Sequence, residues 1–197
     1  VTSATAEVAV DRKTFTLTTA AESVAGTAVA DQFVAVITGV GATGSTLLPG
    51  DTINAGAGND TLTISTAGAQ ATSYTIAAIQ ATGLENIMFN SFDTSDLTAS
   101  PNTQTILDMT LLGTDVAKVG LLAASAAGDI SFTNAKSIVD ISIANSAADV
   151  NMTYPAGITS ALLGAQTQNI ALSNVTAGTV TVAGVEVVNV DTGSLLA

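Results

Sequence analysis

Short stretches in which apolar and polar residues alternate, each closed by Gly, Asn, Asp, Ser or Thr, run through this sequence from Thr14 to Val190. Alternation with a period of two is the mark of a strand with one face buried. The clearest stretches are Thr14 to Thr18, Phe33 to Ile37, Thr61 to Ser65, Asn86 to Phe89 and Ile106 to Leu111, followed by Asp129 to Thr133, Val139 to Ile143, Asn169 to Leu172, Thr179 to Val182 and Glu186 to Val190. One stretch, Ala67 to Gln80, has room for a short helix. The pattern Gly-aliphatic-Glu at Gly83-Leu84-Glu85 returns at Gly184-Val185-Glu186, each time leading into a strand candidate. Strands this short bury nothing alone, and a spacing of roughly nine to fifteen residues is what stacked solenoid rungs require. The expectation is an all-β, right-handed solenoid or β-roll of short strands, with a β-sandwich as the alternative. Within it, 1–14 reads as an extension or linker strand, 15–65 as a motif-bearing segment and 66–197 as a continuous β-rich region.

Composition narrows the function. Hydrophobic residues make up 47% of the chain and the mean hydropathy is +0.51. No apolar run approaches the ~20 residues of a membrane span. Ala and Val interleaved with Thr, Ser and Gly suit narrow, closely stacked strands. Sixteen acidic residues face only Arg12, Lys13, Lys118 and Lys136, a net charge of −12. Nucleic acid and basic docking to a membrane surface are therefore excluded as partners. The chain has no Cys and no His, which removes disulfides, thiolate metal sites, zinc sites and imidazole bases. Trp is absent and aromatics are 4%, against a sugar-stacking groove. A chain opening at Val1 without a signal peptide reads as a processed product or a fragment of something longer, and export would use a signal read elsewhere.

The segment Gly50 to Thr63 (GDTINAGAGNDTLT) carries the chemistry. Ala55-Gly56-Ala57-Gly58-Asn59-Asp60-Thr61-Leu62-Thr63 fits the calcium-binding nonapeptide G-G-x-G-x-D-x-U-x, with Ala55 in place of the first Gly. Gly56 and Gly58 would turn backbone carbonyls inward, Asp60 would bring a hard anionic oxygen, and Leu62 would enter the core. Asp51 and Ile53 stand nine residues before Asp60 and Leu62. Glu22 and Asp31 are also nine apart, as are Val24 and Phe33. Glu22 to Asp51 and Asp31 to Asp60 are both 29 residues. If two nonapeptides make a turn of 18, an insertion within Ala35 to Ser45 accounts for the other 11. Glu22 would then stack on Asp51 and Asp31 on Asp60, an arrangement of like charges that calls for a cation between them. Each acid also has a plainer reading: Asp31 and Asp51 as solvated turn residues, Asp93 and Asp96 as an Asx-type turn or helix cap, Glu85 and Glu186 as edge hydrogen-bond acceptors.

These residues resemble a family. Phe15-Thr16-Leu17-Thr18-Thr19 running to Asp31-Gln32-Phe33, then Gly50 to Leu62, then Gly83-Leu84-Glu85-Asn86-Ile87, are similar to surface-layer (S-layer) proteins of the Caulobacter type and to repeat-in-toxin proteins. The resemblance implies a bacterial cell-surface protein exported by type I secretion, folded outside the cell by Ca²⁺, and assembled with copies of itself in a lattice or filament, with cell-surface polysaccharide as a candidate further partner. It implies Ca²⁺ held by Asp60 and the backbone around Gly56, Gly58 and Asn59, and the shared spacing adds Asp51, Asp31 and Glu22 as further candidates. The expected function is a structural, self-assembling subunit of an S-layer, sheath or filament, ordered by calcium. The alternative is an adhesin or other binding module on a calcium-stabilised solenoid. An enzyme is not expected, since Arg12 is the only Arg and no carboxylate pair stands out.

Overall fold

The computed structural model describes residues 12–38, 44–68, 73–76, 79–93, 104–160 and 164–193. Sixteen strands appear in chain order: β1 (Thr14–Thr16), β2 (Ser23–Thr27), β3 (Gln32–Thr38), β4 (Thr52–Gly56), β5 (Thr61–Gly68), β6 (Tyr74–Ile76), β7 (Gln80–Thr82) and β8 (Asn86–Asp93), then β9 (Thr105–Asp108), β10 (Lys118–Ala124), β11 (Ile130–Thr133), β12 (Asp140–Ser146), β13 (Val150–Thr153), β14 (Thr167–Val175), β15 (Val180–Val182) and β16 (Val187–Asp191). Every pairing between them is parallel. The long sheet runs β1-β3-β5-β8-β10-β12-β14-β16, so the chain returns to it once per turn. A second sheet runs β2-β4-β7 and a third β15-β13-β11-β9-β6. This is a β-solenoid, not a closed sandwich.

The cross-section changes along the stack. The first turns alternate between the long sheet and β2-β4-β7. From β5 to β9 the chain visits all three sheets, and from β10 onward it alternates between the long sheet and the third. Strand geometry sets burial even where the sequence is apolar throughout: in β3 the pattern of burial is strictly alternating, with Phe33, Ala35 and Ile37 inward. Register then stacks like on like: Phe33 beside Leu62, Leu62 beside Ile87, Ile87 beside Val119. Phe15 stacks on Phe33 with centroids 5.1 Å apart, and Phe89 meets Phe132 edge-on at 5.8 Å. Elsewhere the core is lined by Ala35, Ala55, Ala81, Ala135 and Ala148, all buried, which keeps opposing sides close.

Three expectations change. The described part of Ala67 to Gln80 is strand, with the end of β5, then β6, then the start of β7; its Thr and Ile pair in register with β9, and register outweighs a weak helical pattern. Ala35 to Thr38 belongs to β3, so the extra residues of that turn follow Thr38. Asp93 ends β8 as strand, and Asp96 lies outside the described residues.

Candidate functional site

In a parallel stack, the residue just before each strand leaves a backbone N–H at a corner of the solenoid, outside the regular ladder. Buried, that donor needs an acceptor. Here it comes from acids. At the corner leading into the long sheet, Lys13 N–H donates to Asp31 Oδ1 (3.0 Å), Asp31 N–H to Asp60 Oδ1 (2.6 Å) and Asp60 N–H to Glu85 Oε2 (2.6 Å). Each acid thus accepts from the corner residue one rung earlier. At the corner leading into β2 and β4, Glu22 N–H donates to Asp51 Oδ1 at 3.0 Å.

The 29-residue spacing therefore places Glu22 on Asp51 and Asp31 on Asp60, as the sequence implied. The carboxylates do not face one another, however. Asp31, Asp51 and Asp60 are each turned onto an N–H of the preceding rung, while Asp31, Asp51 and Glu22 also close their own turns. Asp31 Oδ2 accepts from Thr27 N–H (2.6 Å) and the Thr27 hydroxyl (2.8 Å). Asp51 Oδ2 accepts from Leu48 N–H at 2.7 Å, and Glu22 Oε1 from Thr18 N–H. Asp31, Asp51 and Asp60 are at most 1% exposed. Among their oxygens, Asp60 Oδ2 is buried without a partner.

Electrostatics separates the stacked pair. Burial works against charge on Asp31, but the Thr27 hydroxyl, the Thr27 and Lys13 N–H groups and the Lys13 ammonium outweigh it and hold this carboxyl below its ordinary value of 3.8. Asp60 moves the other way. Burial pushes it up, the Asp31 N–H offsets part of that, and the charge of Asp31 adds to the rise.

The glycines have a packing role. Gly56 has φ +97°, and a Cβ there would lie 2.0 Å from Thr27 O, so only Gly lets this turn rest on the one before it. Gly58 presses on the Val29–Ala30 backbone in the same way. Asn59 Oδ1 accepts from Asn86 Nδ2, which points it along the stack.

A calcium ion takes about six to eight oxygens. Asp31 and Asp51 have every carboxylate oxygen on protein donors, which leaves Asp60 Oδ2 as the uncommitted oxygen of the three. Among the described residues no group of three His, Cys, Asp or Glu side chains gathers to hold a metal. As folded, these carboxylates serve backbone N–H groups and do not gather as a cage of side-chain oxygens.

A third corner, leading into β11, β13 and β15, carries related chemistry with the acid accepting from the following rung, and it escaped the motif. Asp149 N–H donates to Asp129 Oδ1 (2.7 Å), and Thr179 N–H to Asp149 Oδ1 (2.6 Å). Glu186 Oε2 accepts Gln166 N–H at 2.9 Å, so both Gly-aliphatic-Glu echoes supply a rung-to-rung acceptor. In the later rungs an amide replaces the acid: buried Gln168 donates to Val139 O (2.6 Å) and accepts from the Tyr154 hydroxyl (2.6 Å), which in turn receives Val139 N–H. An acid immediately before a strand was the available signal. Comparison with family models, with curated proteins and with solved structures finds no match.

Proposed function

We propose that this chain is a structural, self-associating protein of an extracellular or cell-surface coat, an S-layer, sheath or filament subunit built from a β-solenoid. The observation that carries the reading is the all-parallel stack itself, in which each strand of the long sheet offers the next an open row of N–H and C=O groups, so that the same pairing can add a strand from another copy. β16, the last described strand, has neither Lys nor Pro, the residues with which proteins that avoid association blunt an edge. The partner in this reading is a second copy of the chain.

A location outside the cell, export by type I secretion and anchoring to polysaccharide belong to the same reading. They rest on the resemblance carried by Gly50 to Leu62 and Gly83 to Ile87. Calcium has no step in it, given how the corner oxygens are used.

Sedimentation velocity and negative-stain electron microscopy across a concentration series test the proposal, run in calcium and in EGTA. Ordered sheets or filaments are expected in both media. Val188→Lys with Val190→Lys should remain monomeric while its circular dichroism keeps the strand signal. A wild-type chain that stays monomeric at every concentration in both media would sink the reading.

A further inference from the structure

We infer that Asp60, the aspartate of the one good calcium motif, serves this chain as a backbone acceptor that an uncharged amide can replace, and that the corner acids lock rung to rung without a metal ion. The three aspartates use their oxygens unequally. Asp31 and Asp51 each spend both on N–H or O–H donors: Lys13 and Thr27 for the first, Glu22 and Leu48 for the second. Asp60 spends one, on Asp31 N–H, and its Oδ2 is buried against no donor.

An asparagine keeps one acceptor oxygen and turns the other into an NH₂ donor. At positions 31 and 51 that NH₂ would face an N–H already in place, so a bond is lost and two donors oppose each other. At position 60 the amide oxygen can take the Asp31 N–H, while the NH₂ stands where no donor is displaced. It also removes a negative charge beside buried Asp31. A calcium ligand would behave in the opposite way, because losing the anionic oxygen of Asp60 would abolish the site.

The corner leading into β11, β13 and β15 argues independently for the metal-free lock. Asp129 and Asp149 accept N–H groups there at 2.7 and 2.6 Å, in this case from the rung that follows. No glycine-rich calcium motif precedes either one; Ala126-Ala127-Gly128 and Ala147-Ala148 stand there. The lock is thus separable from the motif.

The test uses the 197-residue chain and three variants, Asp31→Asn, Asp51→Asn and Asp60→Asn, melted in EGTA and in millimolar CaCl₂ with circular dichroism as the readout. Asp31→Asn and Asp51→Asn should each lower the melting temperature by about 5 °C or more, the scale of losing a hydrogen bond to a charged group. Asp60→Asn should melt within about 2 °C of wild type or above it. Calcium should shift none of the four. A calcium-dependent rise in wild type that Asp60→Asn abolishes would overturn the inference. So would Asp60→Asn damage equal to that of Asp51→Asn, and this comparison survives even if Asp31→Asn fails to fold.

Discussion

Asp31 and Asp60 sit one rung apart, joined by a single N–H, yet acid moves them in opposite senses. The folded Asp31 carboxyl lies below its ordinary value of 3.8, so its contribution to stability is present above that value and is lost as pH falls through its folded pKa. The folded Asp60 carboxyl lies above that value, so its contribution is full at low pH and is lost as pH rises through the folded pKa. Lowering the pH from neutral should first relieve Asp60 and only later, below about 4, release Asp31 from Lys13 and Thr27. The difference between wild type and Asp60→Asn isolates the first part. Melting temperatures measured from pH 7 to pH 3 should converge as the solution is acidified, because Asn already lacks the charge that wild type must shed. Parallel curves would show that Asp60 is not the group being relieved.

At the scale of the strand, backbone approach sets what each side of the solenoid tolerates. Gly120 lies in β10 between Met88 of β8 and Ser142 of β12, and a Cβ there would fall 1.7 Å from Ser142 O. Gly120→Ala should cost at least about 3 kcal/mol, since two paired strands must part to admit one methyl group. Gly157, with open space where its Cβ would stand, provides the control, and Gly157→Ala should stay within about 0.5 kcal/mol of wild type. Urea unfolding of both variants measures the contrast. The same approach explains which strands the sequence disclosed. β5, β11 and β12 announce themselves because large aliphatic and aromatic residues alternate with polar ones, and β3 does so as a β-branched and aromatic apolar run. β2 (SVAGT), β4 (TINAG) and β7 (QAT) do not, because their side of the stack uses Ala and Gly, which read as turn. β10 is interrupted by Gly120, and β13 is only four residues long. Tyr154 and Gln168 were invisible as a corner for another reason: their partnership exists only once β12 and β14 are in register, and no acid marks it.

For the whole molecule, what the sequence disclosed was a spacing, and what it concealed was how that spacing varies. Lys13 to Asp31 is 18 residues, Asp31 to Asp60 is 29, and Asp60 to Glu85 is 25. The stacked pairs with equal spacing, Glu22 with Asp51 and Asp31 with Asp60, are legible from residue numbers alone. Asp129, Asp149 and Thr179, separated by 20 and 30, are not. The all-parallel arrangement described above also governs how long the chain takes to reach it. Among the described residues no strand has a hairpin partner next to it in sequence, so each of these pairings waits for closure of a loop the length of a turn, and folding dominated by such distant pairings is slow. Hydrogen exchange should find the most protected amides in β5, β8 and β10, which have a neighbour on each side in the long sheet, with exchange quickening toward β1 and β16. Uniform protection from end to end would mean that the stack opens as one unit. The edge of β5 stays exposed until residues 86–93 dock on it, and the edge of β8 until residues 118–124 follow. Closure therefore spreads like a zip from whichever rung forms first, and the chain keeps a sticky side until its last rung is in place.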